Sequence, residues 1–218
     1  MTKADFIQLV MRIMNEANAG IDGAEMVGSD MTRVDEYIEQ LFPAAWRRAL
    51  GMFPRYWMVG KSMLDAAVKH DGPAGTGYII LPDDYAALMS LKMKQWKTAL
   101  TELLDDTPAN NKKQENIFAR GTARRPEGMV KMVTDNNTLK NALYYYSLPM
   151  TYYATQPTVL SDLAESAIYI PHVTTLGDTV PVMDIAITPL AYLTAAVVYR
   201  SMEKETMAKA MEGMVISG

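Results

Sequence analysis

The sequence predicts an α+β protein, and three observations carry that prediction. Apolar residues recur at helical spacing near both ends of the 218-residue chain. Short β-branched and aromatic runs, bounded by glycine and proline, fill the middle. Turn-forming clusters such as DGPAGTG stand where the pattern changes. The simplest arrangement joins N- and C-terminal helices, residues 1–74 and 181–218, into one helical bundle, with a β-rich insertion over 75–180.

The elements follow in order. Thr2 caps a first helix, with Asp5 as a capping-box variant, and Phe6, Leu9, Val10, Ile13 and Met14 form its apolar face. The stretch ANAGIDGAEMVGSD predicts a loop. A second helix starts near Asp30 or Thr32 with the stripe Val34, Tyr37, Ile38 and Leu41, until Pro43 kinks or restarts it. AAWRRALGMFPRYW continues helically, with Trp46, Leu50, Phe53 and Trp57 inward and Arg47 and Arg48 outward. MVGKSMLDAAVKH adds a further helical turn or two before the DGPAGTG loop.

GYIILP then reads as a strand. Pro82, Asp83 and Asp84 have the composition of a helix start, with DDYAALMS as a short helix, because acids favour the positive end of a helix. LKMKQWKTALTELL is ambiguous: its first half alternates like a strand, and Trp96, Ala99, Leu100 and Leu103 fit a helix equally well. Residues 105–128 are polar and proline-containing. Met129–Thr134 and Leu139–Ser147 predict a β-hairpin turning at DNN, since Asn tolerates left-handed geometry. Tyr144, Tyr145 and Tyr146 suit a strand packed on both faces. AESAIYIP, after a linker with Pro157, is another extended run. Beyond Pro181, Ile185, Ile187, Leu190, Leu193, Thr194, Val197 and Val198 outline a long helix with Pro189 in its opening turn. EKETMAKAMEGM predicts a solvated helix with one packed side.

Composition narrows the function classes. Hydrophobic residues make up 49% of the chain, which favours a folded globular protein over a disordered one. No apolar run approaches the ~18 residues of a membrane span, and MTKADF has no signal-peptide character, so a cytosol-like compartment is expected. Cysteine is absent, which removes disulfides, thiolate nucleophiles and cysteine-ligated metals. His70 and His172 show no ligand spacing, and no phosphate loop, dinucleotide fingerprint or nucleophile elbow occurs. No catalytic, cofactor-binding or metal-binding residue is therefore expected. Asp83 and Asp84, as neighbours on a helix, would not face each other and make a poor acid/base dyad. The 18 methionines are scattered, which suits core filling more than a dedicated contact face.

Charge is unevenly spread. Residues 1–106 carry 11 basic and 15 acidic side chains, and 135–218 carry 4 and 8. Residues 107–134 carry 6 basic against 2 acidic, a balance of +4 on a chain whose net charge is -4. The stretch FARGTARRPEG holds Arg120, Arg124 and Arg125, with Lys112 and Lys113 just upstream. These five are the candidate interface residues, because arginine's planar fork suits interfacial pairs. Intramolecular pairing, plain solvation and phosphate contact stay open on composition alone.

The order of segments resembles a known family. LPDDY, SLKMKQWKTALTEL, ENIFARGTARRPEGMVKMV and the hairpin ending ALYYYSLP follow the pattern of head–tail adaptor proteins of tailed phages. SAIYIP and AYLTAAVVYR extend the likeness over roughly residues 78–200. It is strongest to neck ring components of crAss-like and related Bacteroidetes phages. The resemblance implies a helical bundle with a β-rich insertion, assembled as a ring, typically dodecameric. The ring would join the portal to other neck or tail proteins and leave a channel through which genomic DNA passes without sequence-specific binding. It implies a structural, non-enzymatic virion protein made in the host cytoplasm. It also implies strands in LKMKQWKTALTEL. The Met-rich N-terminal part matches none of the family's motifs. The other expected class is a cytosolic helical interaction or regulatory module whose positive loop binds an acidic partner.

Overall fold

A computed structural model describes residues 1–22, 28–69, 75–146 and 159–217. The protein is α+β, with helices and antiparallel sheets. It divides into two compact units: Met1–Val59 with His172–Gly218, and Gly60–Pro171.

The first unit is helical. Helix α1 (Lys3–Asp22) is capped by Thr2, whose Oγ1 accepts the Asp5 amide at 3.2 Å while its hydroxyl donates to the Asp5 carboxylate at 2.6 Å. Phe6, Val10, Ile13 and Met14 are buried as expected, Leu9 is half-buried, and Ile7 and Met11 widen the stripe. Helix α2 (Gly28–Met52) runs without interruption through Pro43. Pro43 forgoes one backbone bond, a loss of about 3 kcal/mol in an isolated helix. Phe42, Ala45, Trp46 and Ala49, all fully buried around it, hold the helix continuous through the defect. The expected restart at Pro43 does not occur; one helix runs through it. Of the expected loop 17–30, residues 17–22 belong to α1 and 28–30 to α2; residues 23–27 lie outside the described residues.

Two C-terminal helices complete this unit, α5 (Asp184–Ser201) and α6 (Glu205–Ser217). Helix α5 packs against α1, α2 and α6, which explains why it is apolar on nearly all sides. Pro189 is its sixth residue and lies inside the helix rather than in an opening turn. Phe6 meets Phe42 edge-on at 5.7 Å, and Phe42 stacks on Trp46 at 6.4 Å. Tyr199 donates to the Met14 carbonyl at 2.7 Å, and burial pushes its phenol up to about 12. Glu212 of α6 accepts from both Arg200 and Arg48, tying the α6 surface to α5 and α2.

The α5–α6 junction makes a testable point. Lys204 N–H bonds the Tyr199 carbonyl and Glu203 N–H bonds that of Arg200, the double closure of a Schellman motif. The left-handed position, φ 62°, is held by exposed Glu203 rather than glycine. Glu203→Gly should therefore stabilise the protein by about 0.5–1 kcal/mol, after the extra unfolded-state entropy of glycine is subtracted. Thermal unfolding reads the gain; a lower midpoint would show that the left-handed strain is absent.

The second unit is β-rich. Its strands are β1 (Lys61–Ser62), β2 (Val68–Lys69), β3 (Gly77–Ile80), β4 (Tyr85–Met93), β5 (Gly128–Asp135), β6 (Thr138–Tyr145) and β7 (Ala164–Pro171). They form two antiparallel sheets, ordered β1-β7-β4 and β2-β3-β6-β5. Helices α3 (Pro108–Glu115) and α4 (Leu160–Leu163) interrupt them. One core serves both sheets: Ile79, Leu143 and Tyr145 from the larger, Leu88, Leu91, Ala167 and Tyr169 from the smaller, with Trp96 and Leu100.

The hairpin and the last strand match expectation. Asn136 and Asn137 both adopt positive φ, 49° and 61°, the combination that a two-residue turn of the right twist requires. Strand β7 coincides with AESAIYIP. Three expectations are corrected. Residues 61–69 hold two short strands joined by a turn, not helix, because β1 pairs with β7 and β2 with β3. DDYAALMS is not a helix: Tyr85 opens the long strand β4, and Pro82–Asp84 form the turn before it, closed by the Tyr85 amide on the Pro82 carbonyl at 3.0 Å. Asp84 is engaged by Lys61 Nζ at 2.8 Å and the Tyr169 hydroxyl at 2.7 Å, so both its oxygens serve sheet neighbours rather than a helix terminus. LKMKQWKTALTELL is strand only through Met93; afterwards Leu100 bridges Leu91 and Leu104 bridges Met129. His70 and the expected stretches around Ser147–Pro149 and Pro157 lie outside the described residues.

Candidate functional site

The basic segment is organised from its buried end outward. Thr107 caps α3 by accepting the Asn110 amide, Pro108 takes the first turn, and Lys112 and Lys113 fall in the last turn, where the helix dipole favours cations. The helix is almost wholly polar; Gln114, only 2% exposed, is the residue it buries.

Gln114 and Glu127 form the hub. Gln114 Nε2 donates to Glu127 Oε2, and Gln114 Oε1 accepts the Gly121 amide at 3.2 Å. Lys113 Nζ lies 2.7 Å from Glu127 Oε1, and Arg125 Nε 3.8 Å from the same oxygen. Glu127 is 8% exposed, and burial alone would raise its pKa. The hydrogen bonds from Lys113 and Gln114, with the charges of Lys113 and Arg125, outweigh that and hold it below the usual glutamate value. A side chain at Gly121 would stand 2.8 Å from the Glu127 amide, so only glycine permits the chain at Gly121 to pass so close.

Two turns project from this hub. Thr122 and Arg125 exchange backbone hydrogen bonds of 2.9 and 3.0 Å, leaving Ala123 and Arg124 at a tip. Lys97 N–H on the Ala123 carbonyl and the Thr98 hydroxyl on the Arg124 carbonyl tether that tip to the segment after β4. In the other turn, Asn116 Oδ1 accepts the Phe118 amide at 2.9 Å and the Asn116 carbonyl accepts those of Ala119 and Arg120. This local network lifts Ile117 and Phe118 into solvent, 66% and 99% exposed.

The expected interface residues therefore divide. Lys113 and Arg125 approach Glu127 within the loop, Arg120 is half-buried, and Lys112 and Arg124 are exposed. Lys131 stands over the Tyr144 ring at 5.1 Å. The sequence reading passed over Glu127, Gln114, Ile117 and Phe118. Two adjacent large apolar residues inside an otherwise polar segment were the available signal for the last pair.

Chemically, the segment carries an exposed apolar pair, Ile117 and Phe118, on a hydrogen-bonded base in a stretch rich in cations. Among the described residues, no group of three or more His, Asp or Glu could hold a metal ion, and no helix is long and apolar enough to cross a membrane. No family model matches the chain, and no curated protein matches it.

Proposed function

We propose that this chain is a structural subunit of a phage neck, assembling as a ring that joins the portal to the tail around a DNA channel. One observation carries the reading: a chain of net charge -4 builds a hydrogen-bonded base under a positive loop and uses it to expose a phenylalanine almost completely. A monomeric body gains nothing from exposing that surface, whereas a docking partner that buries it gains apolar area and shields cations. The order of family-like segments then favours the neck among assemblies. Arg120, Arg124, Arg125, Lys112 and Lys113 surround this contact, facing a neighbouring subunit or the portal. Acidic surface elsewhere suits a channel that must release DNA, because phosphate-neutralising contacts would retain it.

The same loop fits a second reading, a cytosolic interaction module that binds an acidic partner. Co-expression with a tailed-phage portal protein separates the two. A neck subunit is expected to sediment with the portal as a large complex even where it is monomeric alone. Failure to associate with the portal, together with capture on an acidic partner as a monomer, would favour the module.

A further inference from the structure

A second apolar surface lies in the helical unit. The segments Trp57–Val59 and Pro181–Met183 run antiparallel, with the Val59 amide on the Pro181 carbonyl at 3.0 Å and the Met183 amide on that of Trp57 at 2.8 Å. Met58 and Val182, paired across them, are buried. Val59 and Met183, next to this bridged pair, are exposed, while Trp57, which ends a short 3-10 turn (Arg55–Trp57), is half-buried against Phe53 at 5.4 Å. Tyr56 and Ile185, close to them in sequence, are also exposed, at 72% and 65%. Exposed Asp184 sits between Met183 and Ile185, and Asp178 is exposed nearby in sequence. Arg55, the cation of this stretch, already has interactions of its own.

We infer that the Ile117–Phe118 tip of one copy docks on the Val59/Met183/Ile185 patch of a second copy, with Arg124 and Lys112 meeting Asp184. Charge selects this pairing. Two tips brought together would oppose Lys112 and Arg124 with their equivalents, and two patches would oppose Asp184 with itself. Tip on patch joins opposite charges and buries apolar surface on both sides. The two surfaces differ, so the contact is heterologous: each copy keeps a free tip and a free patch, and successive copies close into a ring or extend as a filament. The inference rests on reading the chain as a self-assembling subunit and names the contact.

The absence of cysteine makes a direct test simple. Ala119→Cys beside the tip and Thr188→Cys one turn from Asp184 and Ile185 introduce single thiols at exposed positions and leave the docking residues intact. Under mild oxidation, a mixture of the two variants is expected to form at least tenfold more disulfide dimer than either alone, and the doubly substituted chain a ladder. Phe118→Ala, at a side chain in solvent, should leave circular dichroism unchanged and cut the mixed cross-link at least tenfold; Asp184→Lys should weaken it also. Equal cross-linking in mixed and unmixed samples, or indifference to Phe118→Ala, overturns the contact. So does Phe118-dependent binding to phosphatidylserine vesicles without any cross-link, which would make the tip a lipid anchor. Portal-bound rings lacking the cross-link would overturn this contact alone; a cross-linking chain absent from virions would instead remove the neck reading.

Discussion

Trp46→Ala is expected to cost about 3–5 kcal/mol of unfolding free energy, read by chemical denaturation. Trp46 is fully buried and stacks on Phe42, which in turn meets Phe6 of α1. Its removal leaves a void the size of an indole between helices that cannot close around it without moving Phe42. The site is also three residues beyond Pro43, where α2 already lacks a backbone bond and depends on packing to stay helical. Loss of helical signal near Pro43, followed by hydrogen exchange, should accompany the lower stability. A cost below about 1 kcal/mol, under the range for such a truncation, would mean that this aromatic column does not hold the helices together.

Glu127→Ala is expected to disorganise the basic loop, at about 2–4 kcal/mol locally, less than for a wholly buried pair because Lys113 is partly in water. The variant strands Gln114, whose Nε2 loses its acceptor and whose Oε1 then no longer fixes the Gly121 amide. Faster exchange at Gly121 is the readout. The same logic gives a pH dependence. The folded Glu127 pKa is depressed, so its contribution is fully present above the ordinary glutamate value of about 4.3 and is lost as pH falls through the lower folded value. Gly121 protection should fall in that acid window in the wild type and show no such step in Glu127→Ala. Identical acid profiles would remove Glu127 from its place under the loop.

The parts legible in the sequence were those where local preference and tertiary pairing agree. Asn136–Asn137 between alternating runs announces its hairpin because few other residues accept two successive left-handed conformations. AESAIYIP and the closing helices were visible for similar reasons. Of Tyr144, Tyr145 and Tyr146, read as a strand packed on both faces, Tyr145 and Tyr146 are buried and Tyr144 is half-buried. YAALMSLKM was misleading because Ala, Leu and Met favour helix locally, and only pairing with β7 makes it a strand. Strands β1 and β2 are two residues each, too short to show any period. The basic loop was legible as charge, while its organiser was not. Gln114 and Glu127 are ordinary polar residues in sequence, and only the fold brings them together in the interior.

The most direct measurement is an image reconstruction of purified virions at side-chain resolution, centred on the portal vertex. Function through assembly requires this chain as a ring between portal and tail, with Phe118 buried against a neighbouring protein and the cations of residues 112–125 around it. Virions that lack the chain, or a ring in which Phe118 still points into solvent, would contradict it.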